Sequence, residues 1–398
     1  MFQLLLCILL QLFHVSHQIT TTETSATNKI VWFRDHGLRL QDNEALFRAM
    51  DECQPSSSII PIYLWGKDFG NDASGGTASD LFIGHTLKSL DKKLDGALGQ
   101  GFVKIEGVDH DCIPKHTSVD ACIDAKASVF ANELKAICEA TCSSEVYYIR
   151  SSDRIFEEKL INRLNHKGII AKDFSGCSLL DYSKEDVPWK EIILAHPFRS
   201  PLIPFVDFVS DRLSESPPSE IIDVPMEKLT PMMCQMNPSI FSNPVEIDSL
   251  LQRLGKSRGG TEWGNSIIES FSPDQDVMGE LGSFLQSLGP KGLKKKTHFT
   301  SRLSPYLARG ILSPRQVYQA IVSSGESQDK DSFVRRICWR DYTHAVVSLF
   351  PDVLYGRPIR AGYDDAYEDA LEDEKIHALQ MWKKGSTGSI GNIFISAI

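Results

Sequence analysis

Thr300, Ser301 and Ser304 place three hydroxyl side chains within five residues, just before a proline that suits the first turn of a helix. Hydroxyls beside the N–H groups of a helix start make an anion site. Lys294, Lys295, Lys296 and Arg302 add positive charge to the same stretch. The idea repeats at "LSPRQV", where Ser313 can cap a helix and Pro314 follows. The same residues also read as two capped helices beside a solvated lysine run. A second constellation is "FVRRICWRDYTHAVV", in which Phe333, Ile337, Trp339, Tyr342 and Val346 recur at helical spacing between Arg335, Arg336 and Arg340. Arg and Trp on one helix suit a planar charged ligand or a stacked base. The alternative is a buried helix whose arginines bridge to acidic neighbours such as Asp341. A third is "VWFRDHGLRLQDNEAL", where Arg34, Asp35, Arg39 and Asp42 crowd the end of a first strand. Open α/β sheets bind ligands at that edge, but an ion-pair network that fixes the loop fits as well.

The elements that must position these residues follow from hydrophobic period. "NKIVWF", "SSIIPIYLW", "FVKIEG", "SEVYYIR" and "IIAKDFSG" are short apolar runs in the style of buried strands. Between them lie four helical patterns, the first capped by Asp42 or Asn43, the second with Leu81, His85, Leu87, Leu90, Leu94 and Leu98 mostly on one face. The order βαβαβαβαβ predicts a Rossmann-like α/β domain with a largely parallel sheet over residues 29–176. Residues 177–244 are proline-rich with few periodic runs and read as a connector laid over the surface. From residue 245 to 388 the period is helical throughout, which predicts an all-α second domain.

Composition narrows the function. The net charge is −10, so any nucleic-acid binding must use a local basic patch rather than the overall field. The nine cysteines form no CxxC pair and no metal site is read; Cys138 and Cys142, one helical turn apart, read as buried free thiols, with a metal or redox role as the alternative. There is no GxGxxG after the first strand and no GxxxxGK[ST], which argues against a dehydrogenase or a P-loop NTPase. Residues 1–28 combine a short apolar run with a Thr-rich polar stretch, and read as a targeting segment or as an N-terminus without structure of its own. The run is too short to span a bilayer.

Taken in order, "WFRDHGLRLQDNEAL", "RSPLIPFVDF", "TEWGNSIIESFSP", "TSRLSPYLARGILSPRQVY", "FVRRICWRDY" and "WKKGSTG" resemble the photolyase/cryptochrome family. The resemblance implies an α/β antenna domain followed by a helical domain that holds FAD, with an antenna chromophore of folate or deazaflavin type. It implies cofactor roles for Thr300, Ser301, Arg302, Leu303, Ser304, Phe333 and Arg340. It places Trp339 against a flipped-out pyrimidine dimer as the catalytic contact, and makes Lys294, Lys295, Lys296 and Arg336 candidates for gripping DNA. The implied activity is light-driven DNA repair by a monomer, with no membrane partner; a blue-light receptor and a non-catalytic interaction module are the alternatives. The sequence departs from the family at Arg336, where dimer-repairing members carry a Glu. Phe284 and Leu288 are the nearest matches to a family Tyr. The opening turn carries His36-Gly37, one residue more than usual, which a glycine can absorb. Residues 389–398 do not resemble the family, so the expectation is an incomplete helical domain that binds FAD poorly.

Overall fold

The computed structural model describes residues 27–54, 57–66, 78–98, 101–108, 119–181, 202–215, 221–222, 261–288, 300–325 and 328–355, with single positions at 190, 194, 251, 359, 377 and 380. The readings made for residues 1–26, for Lys294 to Lys296, for Trp382 to Gly388 and for the segment 389–398 lie outside the described residues.

The α/β pattern forms as expected. Strands β1 (Asn28–Phe33), β2 (Ile59–Gly66), β3 (Lys104–Val108), β4 (Ser143–Ile149) and β5 (Ile170–Phe174) make one sheet in the order β3-β2-β1-β4-β5. Every neighbouring pair is parallel, with Ile30 of β1 opposite both Ile60 and Val146. Helices α1 (Glu44–Asp51), α2 (Ala78–Leu98), α3 (Val119–Ala140) and α4 (Arg154–His166) make the crossovers. Strand β1 is buried along its whole length, as a central parallel strand covered on both faces must be.

Two side-chain layers follow from the period-two alternation of the strands. Val31, Phe33, Tyr63, Tyr147 and Ile149 pack with Leu46 and Ala49 of α1 and with Leu87, Leu90 and Leu94 of α2. On the other face Trp32 meets Phe130 of α3 and Tyr148, and Phe130 meets Phe156 of α4, at ring-centroid distances of 5.5 to 5.8 Å. Burying layers of this size at ~25 cal/mol per Å² is the main force holding the sheet. At the opposite end of the sheet, Lys29 and Lys172 are ion-paired with Glu145, and Lys172 with Glu52. The Tyr147 hydroxyl bonds both glutamates.

Helices α6 (Thr261–Ser270), α7 (Val277–Ser287), α8 (Ser304–Arg309) and α9 (Pro314–Ser323) belong to the same compact unit as the sheet. A second unit contains α5 (Leu202–Glu215) and α10 (Gln328–Leu349). α5 corrects the reading of its stretch as an aperiodic connector. Phe205, Val206, Val209 and Leu213 recur at helical spacing and are buried. Pro204 stands in the first turn, where a missing N–H does no harm, so the local proline count concealed a helix.

Candidate functional site

The loop after β1 is a network. Asn43, not Asp42, caps α1, its side chain accepting the Leu46 N–H at 3.1 Å. Arg34 lies 4.4 Å from the Trp32 ring and donates to Glu157 at 2.6 Å. Arg39, buried, donates to four carbonyls, those of His36, Asp42, Gly176 and Gly310, at 2.9 to 3.1 Å. Asp42 is fully buried and faces Arg315 with two contacts, at 2.9 and 3.2 Å. It also exchanges hydrogen bonds with Ile222: its N–H donates to the Ile222 carbonyl and its carboxylate accepts the Ile222 N–H. Asp35 accepts from Arg309 at 2.9 Å and from the Tyr63 hydroxyl at 3.2 Å. Burial, reinforced by Asp35, holds the Tyr63 phenol well above its ordinary pKa. Of the two readings of these charges, the ion-pair network is the one formed.

The same loop corrects the expectation for its extra residue. The left-handed conformation falls on His36, at φ +74°, and not on Gly37. Gly37 is wanted for space, since a Cβ there would come within 3.1 Å of Ile149. The second helix start is likewise structural. Ser313 is fully buried, and its hydroxyl accepts the Gln316 N–H while Gln316 returns a bond to the Ser313 N–H, a capping box.

The hydroxyl segment differs. Thr300, Ser301, Arg302 and Leu303 line a cleft of about 230 Å³ whose other walls are Ser270, Phe271, Gln275, Val277, Glu280, Ser283, Phe284, Ser287 and Tyr306. Among the described residues, neither the Thr300 nor the Ser301 side chain takes part in a hydrogen bond, and no carboxylate pairs with Arg302. Arg302 adopts φ +54°, donates to the Ser270 carbonyl at 3.0 Å and lies 4.6 Å from the Phe271 ring. A left-handed arginine costs about 1–2 kcal/mol and persists only when its surroundings hold it. Ser304 is exposed and begins α8, and Leu303, buried, precedes it without a side-chain cap. Because α8 has only six residues, its dipole is weak, and the donors of this cleft are the side chains. Tyr306, buried, donates to the Gln275 side chain at 3.0 Å, and burial raises its pKa. Between the two sequence candidates, Phe284 reaches the cleft wall and Leu288 turns into the core. The contributions of Ser270, Phe271 and Gln275 were not foreseen; their signal was the turn "FSPDQD", which ends in the Asp276 cap of α7.

A second cleft of about 350 Å³ lies between the β1 loop, α2 and the start of α7. Leu38, Leu90, Val277 and Leu312 give it an apolar lining, with Arg39 and Lys93 at its rim. Gln275 and Val277 face both clefts.

In the second unit, α10 has two distinct faces. Phe333, Ile337, Cys338, Asp341 and Ala345 are buried, and Tyr342 meets Phe205 of α5 edge-on at 5.1 Å. The buried Asp341 carboxylate accepts the Leu179 N–H at 2.6 Å and stands 3.7 Å from Arg340, the pairing expected of it. Burial, with Asp341 beside it, pushes the Cys338 thiol up to about 12. Arg335, Arg336, Trp339 and Thr343 form the opposite, exposed stripe, on which Trp339 is 50% exposed. Among the described residues no helix is long and apolar enough to cross a membrane.

Comparison with known proteins agrees with this arrangement. The DNA photolyase family model matches residues 29–182. The deoxyribodipyrimidine photo-lyase of Alkalihalophilus pseudofirmus is 28% identical over 206 residues, covering 47% of this chain and 42% of that protein. Cryptochrome-1 of Sinapis alba is 26% identical over 383 residues, covering 91% of this chain and 67% of the relative. The chain thus spans two thirds or less of the length of these relatives. A bacterial class III photolyase from Agrobacterium tumefaciens shares the fold with a TM-score of 0.61 at 22% identity, over 92% of this chain and 67% of that one.

Proposed function

Because the DNA photolyase family model matches residues 29–182, we propose that the chain is a photolyase/cryptochrome protein and acts in flavin-dependent, light-driven DNA repair of the deoxyribodipyrimidine photo-lyase kind. The observation that carries this reading is the cleft at Thr300, Ser301 and Arg302, where, among the described residues, neither hydroxyl takes part in a hydrogen bond and Arg302 gives one, to the Ser270 carbonyl. These groups fit a diphosphate. The two hydroxyls donate to its oxygens, and Arg302 neutralises charge with the N–H groups that Ser270 does not take. Phe271 and Phe284 shield one side from water, while Glu280 marks the wall that an anion must avoid. At about 230 Å³ the cleft suits the diphosphate and an adjoining sugar rather than a whole dinucleotide. Leu303 backs the segment from the core, and Ser304 opens α8 beside it. When bound, reduced FAD would supply the light-excited electron that splits a cyclobutane pyrimidine dimer.

In the same reading the family resemblance makes Phe333 and Arg340 of α10 candidates for holding cofactor. Trp339 stacks on the flipped base, which its flat exposed ring can do without a hydrogen-bond code. Arg336, Lys294, Lys295 and Lys296 grip phosphates, so binding weakens steeply with salt. The second cleft is our candidate for a planar antenna chromophore of folate or deazaflavin type. The test is titration of the purified protein with FAD, followed by blue-light exposure with an oligonucleotide carrying one dimer. Flavin binding that is weak but saturable, together with light-dependent loss of the dimer, would support this reading. Saturable binding without repair would favour a blue-light receptor, a reading that Arg336 supports because a guanidinium cannot accept a hydrogen bond from a base. The absence of both would leave only an interaction module.

A further inference from the structure

We infer that Arg39, Asp35 and Arg309 are positioning residues for the anion cleft, although none of them lines it. The inference rests on the reading of that cleft as a diphosphate site. The link is α8. Its start follows directly on Thr300 to Leu303, and its other end, Arg309–Gly310, lies in the grip of the β1 loop. At ~1.5 Å per residue a six-residue helix is only about 9 Å long, so it transmits a shift at one end to the other.

The grip is specific. The Leu38 N–H donates to the Arg309 carbonyl at 3.3 Å, and Arg39 donates to the Gly310 carbonyl at 3.0 Å. Arg309 reaches back to Asp35 at 2.9 Å. Gly310 sits at φ +66° against the loop backbone, so closely that a Cβ would lie 1.9 Å from the His36 carbonyl carbon. One turn on, Arg315 of α9 locks onto Asp42. Of the four non-glycine residues with positive φ among the described residues, His36 and Asp42 belong to this loop, and a third is Arg302, at the far end of α8. Backbone strain is therefore concentrated at the two ends of the rod that joins loop to cleft. The middle of the rod is fixed as well, since the Tyr306 hydroxyl bonds Gln275 and the Ser272 carbonyl, both in the segment that forms the opposite wall. The loop thus sets how far Thr300, Ser301 and Arg302 stand from that wall.

The experiment is a set of FAD titrations, read by quenching of flavin fluorescence and by the absorption bands of the bound flavin, on full-length variants well below their melting temperatures. Arg39→Lys keeps the charge but cannot serve four carbonyls, and is expected to weaken FAD roughly tenfold and to alter the bound spectrum. Arg39→Lys could also fail to fold, so Arg309→Ala serves as the second variant; its pair with Asp35 is half-exposed and dispensable for folding. Arg309→Ala should weaken FAD roughly fivefold, Arg309→Lys should restore it, and Asp35→Asn combined with Arg309→Ala should lose no more than either alone. A residue that merely stabilises the fold would leave the affinity of the folded fraction and the flavin spectrum unchanged. If Arg302→Ala weakens FAD while Arg309→Ala binds like the wild type, positioning is wrong and the cleft reading stands. If the wild-type protein shows no saturable FAD binding, the cleft reading fails and the inference falls with it.

Discussion

Arg39 and Arg302 are both arginines in loops that precede helices, and they have opposite fates. Arg39 is buried and gives its N–H groups to four backbone carbonyls from separate stretches of chain. Arg302 is exposed, gives among the described residues one hydrogen bond, to Ser270, and lies on a ring at the mouth of a cleft. The first is cement and the second is a candidate ligand group. What separates them is the number of donors each has left for a partner from outside, not the local density of charge. The same rule separates Ser313, whose hydroxyl is used up in a capping box, from Thr300 and Ser301, whose hydroxyls are not.

The largest effect expected on this contrast comes at the cement. Gly310→Ala forces a side chain into backbone at a left-handed position and should cost ~4 kcal/mol or more, read as a lower urea midpoint or as loss of soluble protein. Asp42→Ala leaves Arg315 beside an empty, buried site and should cost ~3–5 kcal/mol by the same measurement. At the ligand end the order reverses. Arg302→Ala should change stability by less than ~0.5 kcal/mol while FAD affinity falls roughly tenfold. If Arg302→Ala unfolds the chain instead, the distinction between cement and ligand group fails. Trp339→Ala should leave both stability and FAD affinity nearly untouched, yet weaken binding of a dimer-containing oligonucleotide by ~1–3 kcal/mol, measured by fluorescence anisotropy.

The smallest effect is one of pH, at the far end of the sheet. The Lys172 hydrogen bond holds Glu52 below its ordinary 4.5, and bonds from Lys29 and Lys172 outweigh burial to hold Glu145 below it too. Both carboxylates therefore bind protons more weakly when folded than when unfolded. Their stabilisation is fully present above about pH 4.5 and is lost as pH falls through the lowered folded values. Urea midpoints should decline in that window, and Lys172→Met should flatten the decline. Because this network lies away from the cleft, FAD affinity should not follow it.

Much of this was legible in the chain. The strands announce themselves as apolar, β-branched runs because both faces of a parallel sheet are covered, and the α1 cap, narrowed to Asp42 or Asn43, and the cap at Ser313 are local chemistry. The hydroxyl segment was also visible, because its residue types crowd into one short stretch. The α5 helix was not, since prolines around it masked the spacing of Phe205, Val206, Val209 and Leu213. Nor was the wall at Ser270, Phe271 and Gln275, whose side chains carry no charge and are some thirty residues from Thr300 in sequence.

The sequence alone determined the order and type of the elements of the α/β sheet and the family pattern, because these depend on periodicity and on short-range bonding. It could not decide which of its arginines and hydroxyls would be consumed. That depended on which carbonyls the fold brings within 3.5 Å of each donor, and those carbonyls lie far away in the chain: Gly310 and Gly176 for Arg39 and, among the described residues, Ser270 alone for Arg302. Long-range closure brought four carbonyls to the Arg39 guanidinium and, among the described residues, one to that of Arg302, because desolvating a buried guanidinium is tolerated only when its N–H groups are matched.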